Sequence, residues 1–186
     1  MDEIILWKIA TLQQTGCRLV IAIDGRCAAG KTTLASHLQE LLSCNVIHMD
    51  DFFLRPEQRM QERLNQPGGN VDYERFADEI FLPLRLGHAF SYRPYDCHTQ
   101  KLTEPIRVEA NAITIIEGSY SCHPILWEQY DLRLFLTVEP EEQLRRIRMR
   151  NGEESAKHFL EKWIPLEERY FSAFEIAKKC ELCFQT

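Results

Sequence analysis

Short apolar runs alternate along the chain with stretches whose apolar residues recur every three or four positions. Arg18-Leu-Val-Ile-Ala-Ile-Asp24 is a continuous apolar run that ends on an acid and a glycine, the pattern of a parallel strand covered on both faces. Asn45-Val-Ile-His-Met49, Ala112-Ile-Thr-Ile-Ile-Glu117 and Leu132-Arg-Leu-Phe-Leu-Thr-Val138 read the same way, and Leu182-Cys-Phe184 predicts a short last strand. Helical spacing covers 3–14 through Ile4, Ile5, Trp7, Ile9 and Leu12. It returns at about 31–43 through Leu34, Leu38, Leu41 and Leu42, and at 73–87 through Phe76, Ile80, Phe81 and Leu84, with Gly87 as C-cap. Two further helical stretches fall at 140–150 and about 154–179, and Pro165 predicts a break or kink in the second. Residues 88–109 alternate weakly around Tyr92, Pro94 and Tyr95 and predict a hairpin or lid-like insertion.

Strands alternating with helices imply a parallel sheet with helices on both faces. The expected fold class is therefore a three-layer α/β/α fold with a mainly parallel sheet of about five strands. No repeat, low-complexity tract or linker divides the sequence, and 186 residues fit a single domain. That domain, 1–186, carries the insertion at 88–109 and a lid region at 145–160.

Composition narrows the partners. A formal charge of −6 gives no bulk attraction for nucleic acid or acidic lipid, so neither is expected as a partner. The acidic start, Met-Asp-Glu-Ile-Ile-Leu-Trp-Lys, resembles neither a secretory signal nor a membrane span. The seven cysteines are odd in number and scattered, which reads as reduced thiols in a cytoplasm. Cys180 and Cys183 have the spacing of half a zinc site without a second pair, so structural or incidental thiols are expected there.

The chemistry is carried by Gly25-Arg-Cys-Ala-Ala-Gly30-Lys31-Thr32, which fits G-x-x-x-x-G-K-[ST] without a gap and lies between an apolar strand and an amphipathic helix. Gly25 and Gly30 let the backbone turn sharply and approach phosphates. The N–H groups around Ala28, Ala29, Gly30, Lys31, Thr32 and Thr33 form an anion cradle at the start of the helix. Lys31 would reach the β- and γ-phosphates of ATP or GTP, and the Thr32 hydroxyl would ligate Mg²⁺.

Asp50 and Asp51 close the second strand at the sheet edge where open α/β folds bind ligands. A carboxylate there can orient or deprotonate an acceptor hydroxyl, and Asp50 is the candidate base. Glu117 ends the third strand in the place of a magnesium-binding acid, the alternative being a plain strand-capping acid. Arg145, Arg146, Arg148 and Arg150 crowd one short stretch. Arg146 and Arg150 share a helix face and are the candidate lid arginines, the others being surface residues.

Together these residues resemble the uridine kinase and phosphoribulokinase branch of the P-loop kinases. The matching stretches are Ile23-Asp24-Gly25 through Thr33, Met49-Asp-Asp-Phe-Phe53, Asn70-Val-Asp72-Tyr-Glu-Arg-Phe-Ala-Asp78, Arg93-Pro-Tyr-Asp96, Ile116-Glu-Gly118 and Asp131-Leu-Arg-Leu-Phe135. The resemblance implies a P-loop NTPase fold and transfer of phosphate from ATP or GTP, with Mg²⁺, to a primary hydroxyl, typically the 5′-hydroxyl of a nucleoside. It implies Asp50 as the hydroxyl's base, Asp72 as a sugar-hydroxyl ligand, Tyr95 as part of the base-binding wall, Thr32 and Glu117 at the metal, and Arg146 and Arg150 in the lid. Asp72 equally suits an N-cap of the 73–87 helix. After Tyr95 the family's aromatic is replaced and its His displaced, leaving His98 either near a ligand or at the surface. The family's Arg-Gly-Arg lid pattern is absent after residue 151.

Lys31, Mg²⁺ on Thr32 and Glu117, the loop N–H groups and the lid arginines would neutralise charge during in-line transfer of the γ-phosphoryl group. The alternatives are a kinase for another acceptor, such as nicotinamide riboside, pantothenate or a sugar, and a nucleotide-binding regulatory module without turnover. A homo-oligomer is compatible with the sequence.

Overall fold

The computed structural model describes residues 1–186. Its chain runs α1 (Asp2–Gln13), β1 (Leu19–Gly25), α2 (Lys31–Leu42), β2 (Asn45–His48), α3 (Gln61–Leu64), α4 (Tyr73–Phe76), α5 (Leu82–Leu86), β3 (Phe90–Tyr92), β4 (Tyr95–Asp96), β5 (Lys101–Leu102), β6 (Ile106–Val108), β7 (Ile113–Glu117), β8 (Leu132–Thr137), α6 (Pro140–His158), α7 (Ile164–Phe174), α8 (Ile176–Lys179) and β9 (Leu182–Gln185). The five main strands form one sheet in the order β2-β7-β1-β8-β9, every pairing parallel. The insertion folds as two small antiparallel pairs, β3 with β6 and β4 with β5.

Side chains alternate across the sheet, as period-two strands require. Leu19, Ile21 and Ile23 of β1 and Leu132, Leu134 and Leu136 of β8 pack on α1 and α2, through Ile5, Ile9, Leu34 and Leu38. Ala22, Ile116 and Phe135 face the opposite layer, which holds Phe52, Phe76, Tyr170 and Phe171. Two apolar cores therefore sandwich the sheet, and polar groups concentrate at the strand ends.

The C-terminal region differs from expectation at Pro165 and at Glu175. No break falls at Pro165, because it lies in the first turn of α7, where its missing N–H costs no helical bond. A π-helical turn at Phe159–Trp163 precedes it and absorbs the mismatch. The chain is interrupted at Gly152, with φ 83° and ψ 168°, in the gap expected between the two helical stretches, and again at Glu175, with φ 53° between α7 and α8. The 73–87 segment likewise carries a π turn, Ala77–Phe81, and ends at Gly87 in the left-handed conformation expected of a C-cap.

One buried group fixes the strand ends to each other. Asp24, fully buried near the end of β1, accepts the Gly25 and Tyr120 N–H groups on Oδ1 at 2.7 and 3.1 Å. Its Oδ2 accepts the Cys122 N–H and the Tyr170 hydroxyl, both at 2.8 Å. One carboxylate thus joins the phosphate loop, the loop after β7 and helix α7. Burial pushes its carboxyl up to about 6, against the lowering pull of those hydrogen bonds and of Lys31.

Because the folded value exceeds the ordinary 3.8, this group favours the fold fully below about pH 4, and the contribution is lost as pH rises through 6. A carboxyl-carbon NMR titration should place its midpoint near 6, and a midpoint below 4 would contradict the environment described. Asp24→Asn offers an oxygen to one pair of donors and an amide to the other, a mismatch worth about 2–5 kcal/mol. Its melting temperature at pH 7.5 should fall by roughly 5–15 °C.

Candidate functional site

A cleft of about 1460 Å³ opens at the C-terminal ends of β1, β2 and β7. The loop that begins at Gly25 contributes Cys27 through Lys31 to its lining. Gly25 has φ 136° and pairs with Leu136 across the sheet, where a Cβ would run into the Leu136 carbonyl. Gly30, at φ 85°, turns the chain into α2. The N–H groups of the first turn of α2 are left without helical partners at this end, as an anion site requires. Ala28, Ala29, Gly30, Lys31, Thr32 and Thr33 all line the cleft.

Lys31 is buried and spends its three hydrogens within the protein. It donates to the Gly25 carbonyl at 2.8 Å, the Arg26 carbonyl at 2.9 Å and the Ser119 hydroxyl at 3.3 Å. The ammonium therefore lies along the loop, beside the cradle it would serve.

Strand register assembles an acidic corner of the cleft. His48 and Glu117 are paired neighbours on β2 and β7, and the Thr32 hydroxyl approaches from α2. Thr32 donates to Glu117 Oε1 at 3.0 Å, and His48 Nδ1 reaches the same oxygen at 2.6 Å. That hydrogen bond, reinforced by the charges of Glu117, Asp51 and Asp50, raises the His48 pKa against partial burial. A buried carboxylate beside a threonine hydroxyl is the hard-oxygen set that suits Mg²⁺.

Asp50 and Asp51 part company in the short 3₁₀ turn Met49–Phe52 that follows β2. Asp50 lines the cleft and is open to its water. Protein crowds its other sides, and that desolvation raises its carboxyl above the usual range, opposed by Lys31 and assisted by Glu117, Glu167 and Asp51. Asp51 turns away, accepts the Tyr92 hydroxyl at 2.8 Å and anchors the insertion. Arg146 and Arg150 both line the cleft, and Arg146 donates to the Ala28 carbonyl at 3.2 Å. Arg145 and Arg148 pair with Glu142 and Glu153 on the outer surface.

The three remaining expected ligand residues stand outside the cleft lining. Asp72 is buried and caps α4 by accepting the Arg75 N–H at 3.1 Å, while its other oxygen accepts the Gln58 amide at 2.7 Å. Tyr95 is buried behind Arg59, whose guanidinium approaches its hydroxyl at 3.4 Å, and Arg59 itself lines the cleft. His98 is exposed, held in a turn by its N–H to Asp96 at 2.7 Å. Here the cleft presents Phe53 and Trp163, with ring centroids 6.2 Å apart, together with Asn70 and Cys97.

Sequence reasoning missed His48, Ser119 and Glu167. Glu167 is buried, accepts the Cys27 N–H at 3.0 Å and accepts the Ser119 hydroxyl at 2.6 Å. The available signal was its place on the apolar stripe of α7, among Tyr170, Phe171 and Phe174, where an acid needs a partner. Burial, then the charge of Glu167, pushes the Cys27 thiol up to about 12, which leaves it unreactive.

No protein-family model matches the chain. It is 31% identical over 132 residues to human nicotinamide riboside kinase 1, covering 68% of this chain and 62% of that protein. It is 32% identical over 143 residues to mouse nicotinamide riboside kinase 2, covering 72% of this chain and 68% of that protein. The chain thus spans about two thirds of the length of these relatives. Its backbone is similar to the structure of a possible uridine kinase from Bacillus stearothermophilus, with a TM-score of 0.63 over 99% of this chain and all of that one. The sequence identity of that pair is 22%, so the likeness concerns the fold.

If Thr32 and Glu117 hold a magnesium ion, Glu117→Gln should raise the Mg²⁺ concentration needed for ATP to lift the melting temperature by about tenfold or more. An unchanged Mg²⁺ dependence would remove Glu117 from the metal.

Proposed function

The chain belongs to the uridine kinase-like branch of the P-loop kinases, and from that premise we propose that it transfers the γ-phosphoryl group of ATP to the primary 5′-hydroxyl of a ribonucleoside-type acceptor. The observation that carries this reading is the placement of Asp50. It is the carboxylate at the end of β2 that turns into the cleft facing the phosphate loop, while its neighbour Asp51 is tied to Tyr92. A regulatory nucleotide switch would have no use for such a group.

In this reading the loop N–H groups and Lys31 hold the terminal phosphates, and Thr32 and Glu117 hold Mg²⁺. Held by the Thr32 hydroxyl and the Glu117 carboxylate, the ion would offset the negative charge that builds during transfer. Arg146 and Arg150 close over the leaving diphosphate from the lid side. Asp50 orients the acceptor hydroxyl and receives its proton as the bond to phosphorus forms. A carboxylate raised by desolvation suits that task, because it binds the proton better than a solvated one.

Nicotinamide riboside is the acceptor proposed first, on the kinship with the human and mouse enzymes. The Phe53 and Trp163 rings fit it as well, since aromatic faces attract a pyridinium cation. Arg59, which reaches into the same cleft, offers donors to a carboxamide or a ribose hydroxyl.

A coupled ADP assay over nicotinamide riboside, uridine, cytidine, pantothenate and simple sugars should show turnover that is highest with nicotinamide riboside. Turnover confined to a non-riboside acceptor would overturn the substrate class, and turnover with none would overturn the kinase reading. Lys31→Ala should abolish turnover without altering the circular dichroism spectrum. Asp50→Asn should lower kcat by about 100-fold or more with little effect on ATP affinity. In the parent enzyme, kcat should fall on acidification with a midpoint above the ordinary carboxylate range, because the raised Asp50 must be ionised to accept the proton.

A further inference from the structure

Two consecutive carboxylates on α7 grip two consecutive residues of the phosphate loop. Glu168 takes the Arg26 guanidinium with both oxygens, at 2.6 and 3.1 Å, in a half-exposed ion pair. Glu167 is only 6% exposed and does more than brace the backbone. One of its oxygens accepts the Cys27 N–H at 3.0 Å, and the other accepts the Ser119 hydroxyl at 2.6 Å.

Ser119 has one hydroxyl hydrogen and two acceptors within reach. The Gly25 carbonyl lies at 3.1 Å and Glu167 at 2.6 Å, so the shorter, charge-assisted bond takes the hydrogen. That choice leaves the oxygen lone pairs of Ser119 for Lys31, whose ammonium approaches at 3.3 Å. Without the carboxylate, the hydroxyl would turn to the Gly25 carbonyl. Lys31 already uses that carbonyl at 2.8 Å, so serine and lysine would compete for one acceptor.

We propose that Glu167 is a positioning residue. Acting through Ser119, it fixes where the Lys31 ammonium rests in the phosphate loop, and therefore where the transferring phosphate meets its cation. Asp24 and Asp50 also feel the Lys31 charge, whereas Glu167 meets it through the Ser119 hydroxyl. The chain Glu167–Ser119–Lys31 reaches from the lid-side helix to the cradle, spanning residues 48 and then 88 positions apart in sequence. The inference rests on the kinase reading for its consequence in turnover, though not for its geometry.

The test is arranged so that the two ideas fail separately. The nucleotide-free full-length protein is treated with the amine-acetylating N-hydroxysuccinimidyl ester of acetate, and labelling of Lys31 is followed by mass spectrometry against exposed Lys101. Glu167→Gln and Ser119→Ala should each speed Lys31 labelling about fivefold, the effect of losing a hydrogen bond worth about 1 kcal/mol. Ser119→Thr, which keeps the hydroxyl, should label at the parent rate.

With an active acceptor, both disruptive variants should lose about tenfold or more in kcat while the KM for ATP changes less than about threefold. The double variant should be no worse than the poorer single one, as members of one chain behave. The proposal is overturned if Lys31 labelling is unchanged or rises only in step with Lys101. It is equally overturned if KM rises while kcat is retained. If no acceptor is turned over by the parent protein, the function assigned above falls, and the labelling still decides the role of Glu167.

Discussion

The structure hangs on the burial of one carboxylate, Asp24, with four donors around it. Those donors come from Gly25, Tyr120, Cys122 and Tyr170, on three separate parts of the chain. A charge taken out of water must find such partners or leave the fold. The loop after β7 and the helix α7 are therefore drawn to the start of the phosphate loop. Tyr120 accepts a left-handed φ of 76° to bring its N–H to the carboxylate, a strained conformation for a residue with a side chain.

From Asp24 outward, parallel register does the rest. Pairing of β2 with β7 sets His48 beside Glu117, and pairing of β1 with β8 sets Gly25 against Leu136. The helix that begins at Lys31 then brings Thr32 to Glu117. Asp24 and Asp50 both feel the charge of the buried Lys31, and Glu167 reaches the same ammonium through the Ser119 hydroxyl.

The sheet was legible because its strands are nearly pure apolar runs between turn residues, and the phosphate loop because its chemistry tolerates few residue types. Glu117 and Asp50 were legible for a related reason, since strand ends in an open parallel sheet converge on one edge. Other features depend on tertiary packing that no local pattern reveals. Glu167 meets Cys27 across 140 residues, and Ser119 gains its role only from the turn that Asp24 imposes. Pro165 misled because a π turn directly before it lets the helical path continue past a residue that would otherwise break a helix interior. Asp72 could cap a helix or face a sugar, and in this structure it caps α4.

The central claim is spatial: the cradle begun at Gly25 directs a terminal phosphate toward Asp50. A crystal structure with a non-hydrolysable ATP analogue, Mg²⁺ and nicotinamide riboside tests it most directly. The account predicts the γ-phosphorus beside Lys31 and the acceptor 5′-oxygen within about 3 Å of an Asp50 oxygen, on the line of attack. A nucleotide seated elsewhere, or an acceptor hydroxyl turned away from Asp50, would contradict it.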